Sequence, residues 1–165
     1  MPSYTHLAYR RNAKAAARKQ QIKKPKNQES LLKAREDFGY FCEYVADKPP
    51  AEHHKTWHRH FVTNEDSCCL LKIAGPNVDL LAPRGSAKST VLGLLTAWAI
   101  GVHTQARQPL QVLYLSYTVD IARSKSATIK RIIESKRYQE VFPKVRLLKN
   151  VTSNEYWSID HKLSL

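Results

Sequence analysis

The sequence predicts an α/β domain organised around a parallel sheet, and three observations carry that reading. A short apolar run at 78–82 leads through a loop of small residues, 83–87, into an apolar helical stretch from Ser89 to about Val102. A second apolar run follows at 111–116 (QVLYLS). An amphipathic stretch, 118–136, comes after it. Strand, loop, helix, strand and helix in that order is the pattern of parallel strands joined by crossover helices.

Each element has its own signal. Residues 1–28 form a basic arm, expected to be flexible. Residues 1–26 hold eight cations (Arg10, Arg11, Lys14, Arg18, Lys19, Lys23, Lys24 and Lys26) and no acid. Few large apolar side chains exist there to dock a helix, so it reads as a tail, disordered or helical only on contact. A helical lead-in spans 29–66. Over 29–47, Leu31, Leu32, Phe38, Phe41, Cys42 and Val45 recur at spacings that make one apolar face. Pro49 and Pro50 stop that helix, because proline removes a donor and disfavours α before it. A second helix starts near Ala51 and carries His53, His54, Trp57, His58, His60 and Phe61.

The core segment, 67–165, opens with a mixed apolar stretch at 68–74 and a turn at 75–77. Residues 78–82 and 111–116 read as buried strands. In 118–136, Ile121, Ala122, Ile129, Ile132 and Ile133 share a face opposite Arg123, Lys125, Lys130 and Arg131, and Thr118 is the expected N-cap. Further short strands are expected at 145–148 and 155–159.

The bulk numbers bound the function. A chain of 165 residues builds one domain with a real core. No apolar run approaches the roughly 20 residues of a bilayer span, and no secretory signal opens the chain, so a soluble, intracellular protein without a membrane partner is expected. The formal net charge is +13. Such an excess favours a polyanion, because each phosphate neutralised releases condensed counterions. The three cysteines, Cys42, Cys68 and Cys69, make no metal or disulfide framework and read as small buried residues.

The chemistry concentrates in 82–90, Ala-Pro-Arg-Gly-Ser-Ala-Lys-Ser-Thr. In the phosphate-loop pattern G-x-x-x-x-G-K-[ST], Lys88 and Ser89 fit the last two positions, while Ala82 and Ala87 stand where glycines are usual. An anion is held there by successive backbone N–H groups and the positive end of a helix dipole, so small residues must let the backbone come close. Pro83, Arg84, Gly85, Ser86 and Ala87 supply the loop. Lys88 reaches the β- and γ-phosphates of ATP, the Ser89 hydroxyl ligates Mg²⁺, and Thr90 adds a contact on the α-phosphate side. Arg84 lies along the γ-phosphate, where it stabilises charge developing on the transferred group. A plain strand–turn–helix with a surface arginine is the competing reading.

A wider set of residues resembles a known family. Pro49-Pro50, His53-His54 and Trp57-His58 are followed by 80–90 (LLAPRGSAKST), 112–117 (VLYLSY), 129–138 (IKRIIESKRY) and Val141-Phe142-Pro143. In that order they resemble the large terminase subunit of tailed bacteriophages. The resemblance implies a P-loop NTPase fold of the additional-strand type, a three-layer sandwich with a parallel sheet. Here it would be incomplete and preceded by a helical segment. It implies an ATPase that drives double-stranded DNA into the prohead. It also implies a homo-oligomeric ring on the portal protein, a small terminase subunit as partner, and a place in the host cytoplasm, transiently at the portal vertex. Arg84 and Lys88 would be catalytic, and Trp57 or His58 would contact the adenine. The competing reading of those two is a core tryptophan and a surface histidine.

The chain departs from the family in one respect that matters. Hydrolysis needs a strand ending in acidic residues, and no such strand follows Ser116. The family would place it, with the nuclease domain, beyond Leu165. The chain by itself is therefore expected to bind nucleotide weakly and to turn it over slowly or not at all. The alternative function, of a different class, is a non-catalytic nucleic-acid-binding or assembly module.

Overall fold

The architecture is helical. The computed structural model describes residues 28–61 and 79–159. The chain divides into two units, Met1–Ser30 and Leu31–Leu165, and the description below concerns the second. The helices run α1 (Gln28–Glu36), α2 (Phe38–Ala46), α3 (Glu52–Phe61), α4 (Lys88–Gln105), α5 (Val119–Glu134) and α6 (Lys136–Val141). A hairpin follows, β1 (Leu147–Thr152) paired antiparallel with β2 (Trp157–Ile159). Leu147 faces Ile159 and Thr152 faces Trp157, with an irregularity in register between them.

This overturns the expected fold class. The parallel-sheet P-loop sandwich is not what the chain forms, since the only ladder among the described residues is the antiparallel β1–β2 pair. Residues 79–82 and 111–116, read as core strands, belong to no sheet. All of 111–116 is exposed, Leu113 at 82% and Leu115 at 80%, and in 79–82 Leu81 is 94% exposed while Leu80 and Ala82 are half-buried. The reason is physical. A strand satisfies its N–H and C=O groups only through a neighbour, and apolar content alone does not supply one. The stretch 68–74, the turn at 75–77, Val78 and the arm at 1–26 lie outside the described residues.

The stretch 29–47 is two helices where one was expected. Asp37 leaves the helical region (φ −113°, ψ 112°), and its carboxylate accepts the Tyr40 N–H at 2.7 Å, so it caps α2. Asp47, at φ 54°, closes α2 with its own N–H bonded back to Cys42 and Glu43 carbonyls, before the two prolines are reached. The re-aimed helix buries Phe38, Phe41 and Cys42, whereas Leu32 stays exposed. Burial pushes the Cys42 thiol up to about 12, with Asp37 adding to the effect, so this cysteine is inert packing.

Helix α5 begins where expected. The Thr118 hydroxyl accepts the Ile121 N–H. Ile129 and Ile133 are buried, but Ile121, assigned to the same face, is exposed. Ser135 ends α5 and caps α6 through the Tyr138 N–H.

The core lies where α2, α4, α5 and α6 meet. Its largest fully buried side chains include Tyr138, Phe41, Phe142 and Ile133. Polar atoms at the seams are bonded. The Trp98 indole N–H donates to Ala34 O at 3.2 Å, and the Arg35 guanidinium donates to Val141 O at 2.7 Å, at the end of α6. Arg137 donates to Tyr44 O at 3.0 Å and pairs with the Asp47 carboxylate, holding α6 against the end of α2. Among the described residues no helix is long and apolar enough to cross a membrane.

Candidate functional site

The loop that the sequence singled out is a turn running into the leading end of α4, an 18-residue helix. Two of its residues sit in the left-handed region, Gly85 at φ 85° and Ala87 at φ 57°, ψ 18°. Gly85 takes that conformation freely, and a Cβ built on it would meet nothing within 4 Å. For Ala87 the same region costs about 1–2 kcal/mol. The alanine that departs from the phosphate-loop pattern therefore adopts the backbone conformation for which glycine is usual.

Ala87 is the N-cap of α4, and its methyl gives the first-turn amides no acceptor. The Thr90 and Val91 N–H groups both bond to the Ala87 carbonyl at 3.0 Å. Among the described residues no side chain caps the positive end of the helix dipole, a setting that suits an anion. Residues Ala82 to Thr90 line an open concavity of about 370 Å³. Arg84, Ser89 and Thr90 are exposed and Lys88 is half-buried. Among the described residues no carboxylate pairs with Arg84 or Lys88. Two cations, the helix terminus and two hydroxyls of the expected set are therefore brought together at one place.

Two loop features were not legible. The Ser86 hydroxyl oxygen is shut away from solvent and has no hydrogen-bond partner among the described residues. The Ser86 carbonyl lies 2.8 Å from His54 Nε2, on α3. His54 Nδ1 accepts the Ala51 N–H at 3.2 Å, so the neutral ring carries its proton on Nε2 and donates it to Ser86. Position 54 was one of several histidines in the sequence, and the partner 32 residues away gave no local sign of itself.

The adenine candidates are separated. The Trp57 ring lies 5.1 Å from the His53 ring and 5.1 Å from the His54 ring, so it is adjacent to the residue that touches the loop. His58 faces inward. It stacks on Phe38 at 4.9 Å with the rings 17° apart, and meets Trp98 edge-on at 5.5 Å. Its Nε2 is buried without a hydrogen-bond partner among the described residues.

Burial lowers the His58 pKa from its ordinary value of 6.5; Asp37 opposes the shift and Arg59 assists it. The unfolded chain therefore takes up this proton before the folded chain does. Stability is full above about pH 6.5 and falls as pH drops below it toward the lower folded value. The thermal midpoint is expected to decline between pH 7.5 and pH 5.5, and His58→Phe, which keeps the stack, to reduce that decline. Equal declines in both proteins would assign the pH dependence to other groups.

Comparison with known proteins adds no relative: no family model, no curated protein and no solved structure matches this chain.

Proposed function

We propose that residues 82–90 bind the triphosphate of ATP with Mg²⁺, and that the chain is the nucleotide-binding portion of a DNA-packaging motor. One observation carries the nucleotide reading: the left-handed turn at Gly85 and Ala87 delivers Lys88 and Ser89 to the start of a long helix with no side-chain cap. Backbone amides and dipole attract the phosphates, Lys88 and Arg84 neutralise them, and the Ser89 hydroxyl is the group placed to hold Mg²⁺. Trp57, beside His54, is the aromatic surface available to an adenine ring.

The motor reading rests on the order of motifs shared with large terminase subunits. The net charge of +13 supports DNA as the polyanion handled. On that reading double-stranded DNA, the portal protein, the small subunit and further copies in a ring are the partners. One observation favours the second reading, a non-catalytic module, for this chain alone. The concavity is lined by 82–90, which contain no acid to polarise an attacking water.

Lys88→Ala tests the site. A hydrogen bond to a charged group contributes about 1.5–3 kcal/mol, so Mg-ATP affinity is expected to fall roughly 10- to 100-fold in calorimetric titration. Lys144→Ala, an exposed cation on the turn after α6, is expected to leave affinity unchanged. Equal affinities for both variants and the parent would mean that the nucleotide binds the basic surface at large.

A further inference from the structure

The loop carries a non-glycine residue, Ala87, at φ 57°, and its conformation has to be held by something outside the loop. Within 83–87 the one backbone bond is long: Ser86 N–H to Pro83 O at 3.4 Å. The external contact is shorter, His54 Nε2 to Ser86 O at 2.8 Å. It acts on the peptide that joins Ser86 to Ala87. In a trans peptide the C=O and the following N–H point to opposite sides. Fixing the Ser86 carbonyl toward α3 therefore turns the Ala87 N–H away from α3, and a flip of that peptide would break the bond to His54. An anion cradle needs this sorting, with carbonyls outward and amides inward, because a single carbonyl facing a phosphate repels it.

His54 is itself held at three points. Its Nδ1 accepts from Ala51 N–H at 3.2 Å, and its ring meets those of His53 at 4.0 Å and Trp57 at 5.1 Å. The helix that bears it is fastened to the core through the stack of His58 on Phe38. The tether thus joins a rigid element to the one peptide whose orientation decides whether the loop presents amides or a carbonyl.

We propose that His54 is the positioning residue of the phosphate loop, holding the Ser86–Ala87 peptide in its anion-binding orientation and so allowing alanine where glycine is usual. This rests on the nucleotide reading above for its function, but the tether itself is a separate claim.

Three substitutions in the full chain separate the roles of the two ring nitrogens. Gln places an amide donor near the position of Nε2 and keeps the tether. Asn places an oxygen near the position of Nδ1, keeps the bond to Ala51, and is too short to reach Ser86. Ala removes both. Amide hydrogen exchange without ligand at Ser86, Thr90 and Val91, whose N–H groups bond to Pro83 O and Ala87 O, and affinity for Mg-ATP, are the two readouts. For His54→Ala and His54→Asn, exchange is expected to rise at least about tenfold and affinity to fall by a similar factor. His54→Gln is expected to restore both to within about threefold of the parent. A mere helix-capping role would make Asn the rescuing variant and Gln the failing one, and that result overturns the proposal. So does unchanged exchange at Ser86, Thr90 and Val91 in His54→Ala. If exchange rises in His54→Ala while neither it nor Lys88→Ala alters Mg-ATP affinity, the tether stands and the nucleotide reading fails.

Discussion

Gly101→Ala is expected to destabilise the fold by about 3 kcal/mol, the upper end for overpacking a filled core. Gly101 lies on α4 where that helix meets Phe142. A Cβ there would sit 2.4, 2.5 and 2.6 Å from three carbons of the Phe142 ring. The ring cannot step aside, because Phe142 is fully buried between Phe41 at 6.1 Å and Tyr138 at 5.2 Å, measured between ring centroids. Either the helix moves out or the ring leaves its rotamer. Alanine's better helix propensity returns about 1 kcal/mol at most and does not reverse the sign. The expected drop in thermal midpoint is roughly 10 °C, read by far-ultraviolet circular dichroism.

Gly93, on the same helix, is the internal control. Its added Cβ would meet only Ile129 Cγ1, at 3.8 Å, an ordinary contact. Gly93→Ala is therefore expected to be neutral or stabilising by up to about 1 kcal/mol. Phe142→Leu, which shortens the obstructing ring, should recover part of the loss when combined with Gly101→Ala. A midpoint for Gly101→Ala equal to that of Gly93→Ala would show that α4 and Phe142 are not in this contact.

Tyr138→Ala is expected to cost about 3–5 kcal/mol, as large aromatic truncations in cores do. Tyr138 is fully buried on α6, and its ring meets Phe41 of α2 edge-on at 6.0 Å. Its hydroxyl donates to the Ala97 carbonyl of α4 at 2.8 Å. Burial raises its pKa well above the usual phenol value, so the hydroxyl stays protonated and keeps donating. One side chain thus ties three helices together. Tyr138→Phe isolates the polar part and is expected to cost about 1 kcal/mol, since the ring and its contacts remain. Urea denaturation of the pair gives both numbers. Equal losses for Ala and Phe would mean that the hydroxyl bond, not the ring, supports the junction.

The two helix breaks show how far local chemistry reads. Asp37 and Ser135 are both N-cap residue types, each accepting the N–H three residues on. A periodicity reading runs through them, because the apolar spacing continues on either side. The position of the break was available in residue type, but its consequence was not. Once α2 is re-aimed, Leu32 is left outside while Phe38 and Phe41 enter the core.

The runs at 79–82 and 111–116 mark the opposite limit. Their composition is that of buried strands, yet Leu81, Leu113 and Leu115 face solvent. Apolar content makes burial favourable, and only a neighbour with free backbone groups makes a strand. The hairpin at β1 and β2 formed where two short apolar runs are joined by a turn in which the Ser153 hydroxyl accepts the Tyr156 N–H and donates to its carbonyl.

By itself the amino-acid order determined which stretches are helical, though not the breaks at Asp37 and Ser135, together with the cap at Thr118 and the loop composition that brings Lys88 and Ser89 to a helix start. These depend on hydrogen bonds closing within four residues, so the information is local. Only the tertiary structure decided that the apolar runs stay unpaired, that His58 turns to Phe38 while His54 reaches Ser86, and that Gly101 must remain bare beneath Phe142. Each of those joins residues tens of positions apart, where the outcome is set by which surfaces meet and not by what either segment prefers alone.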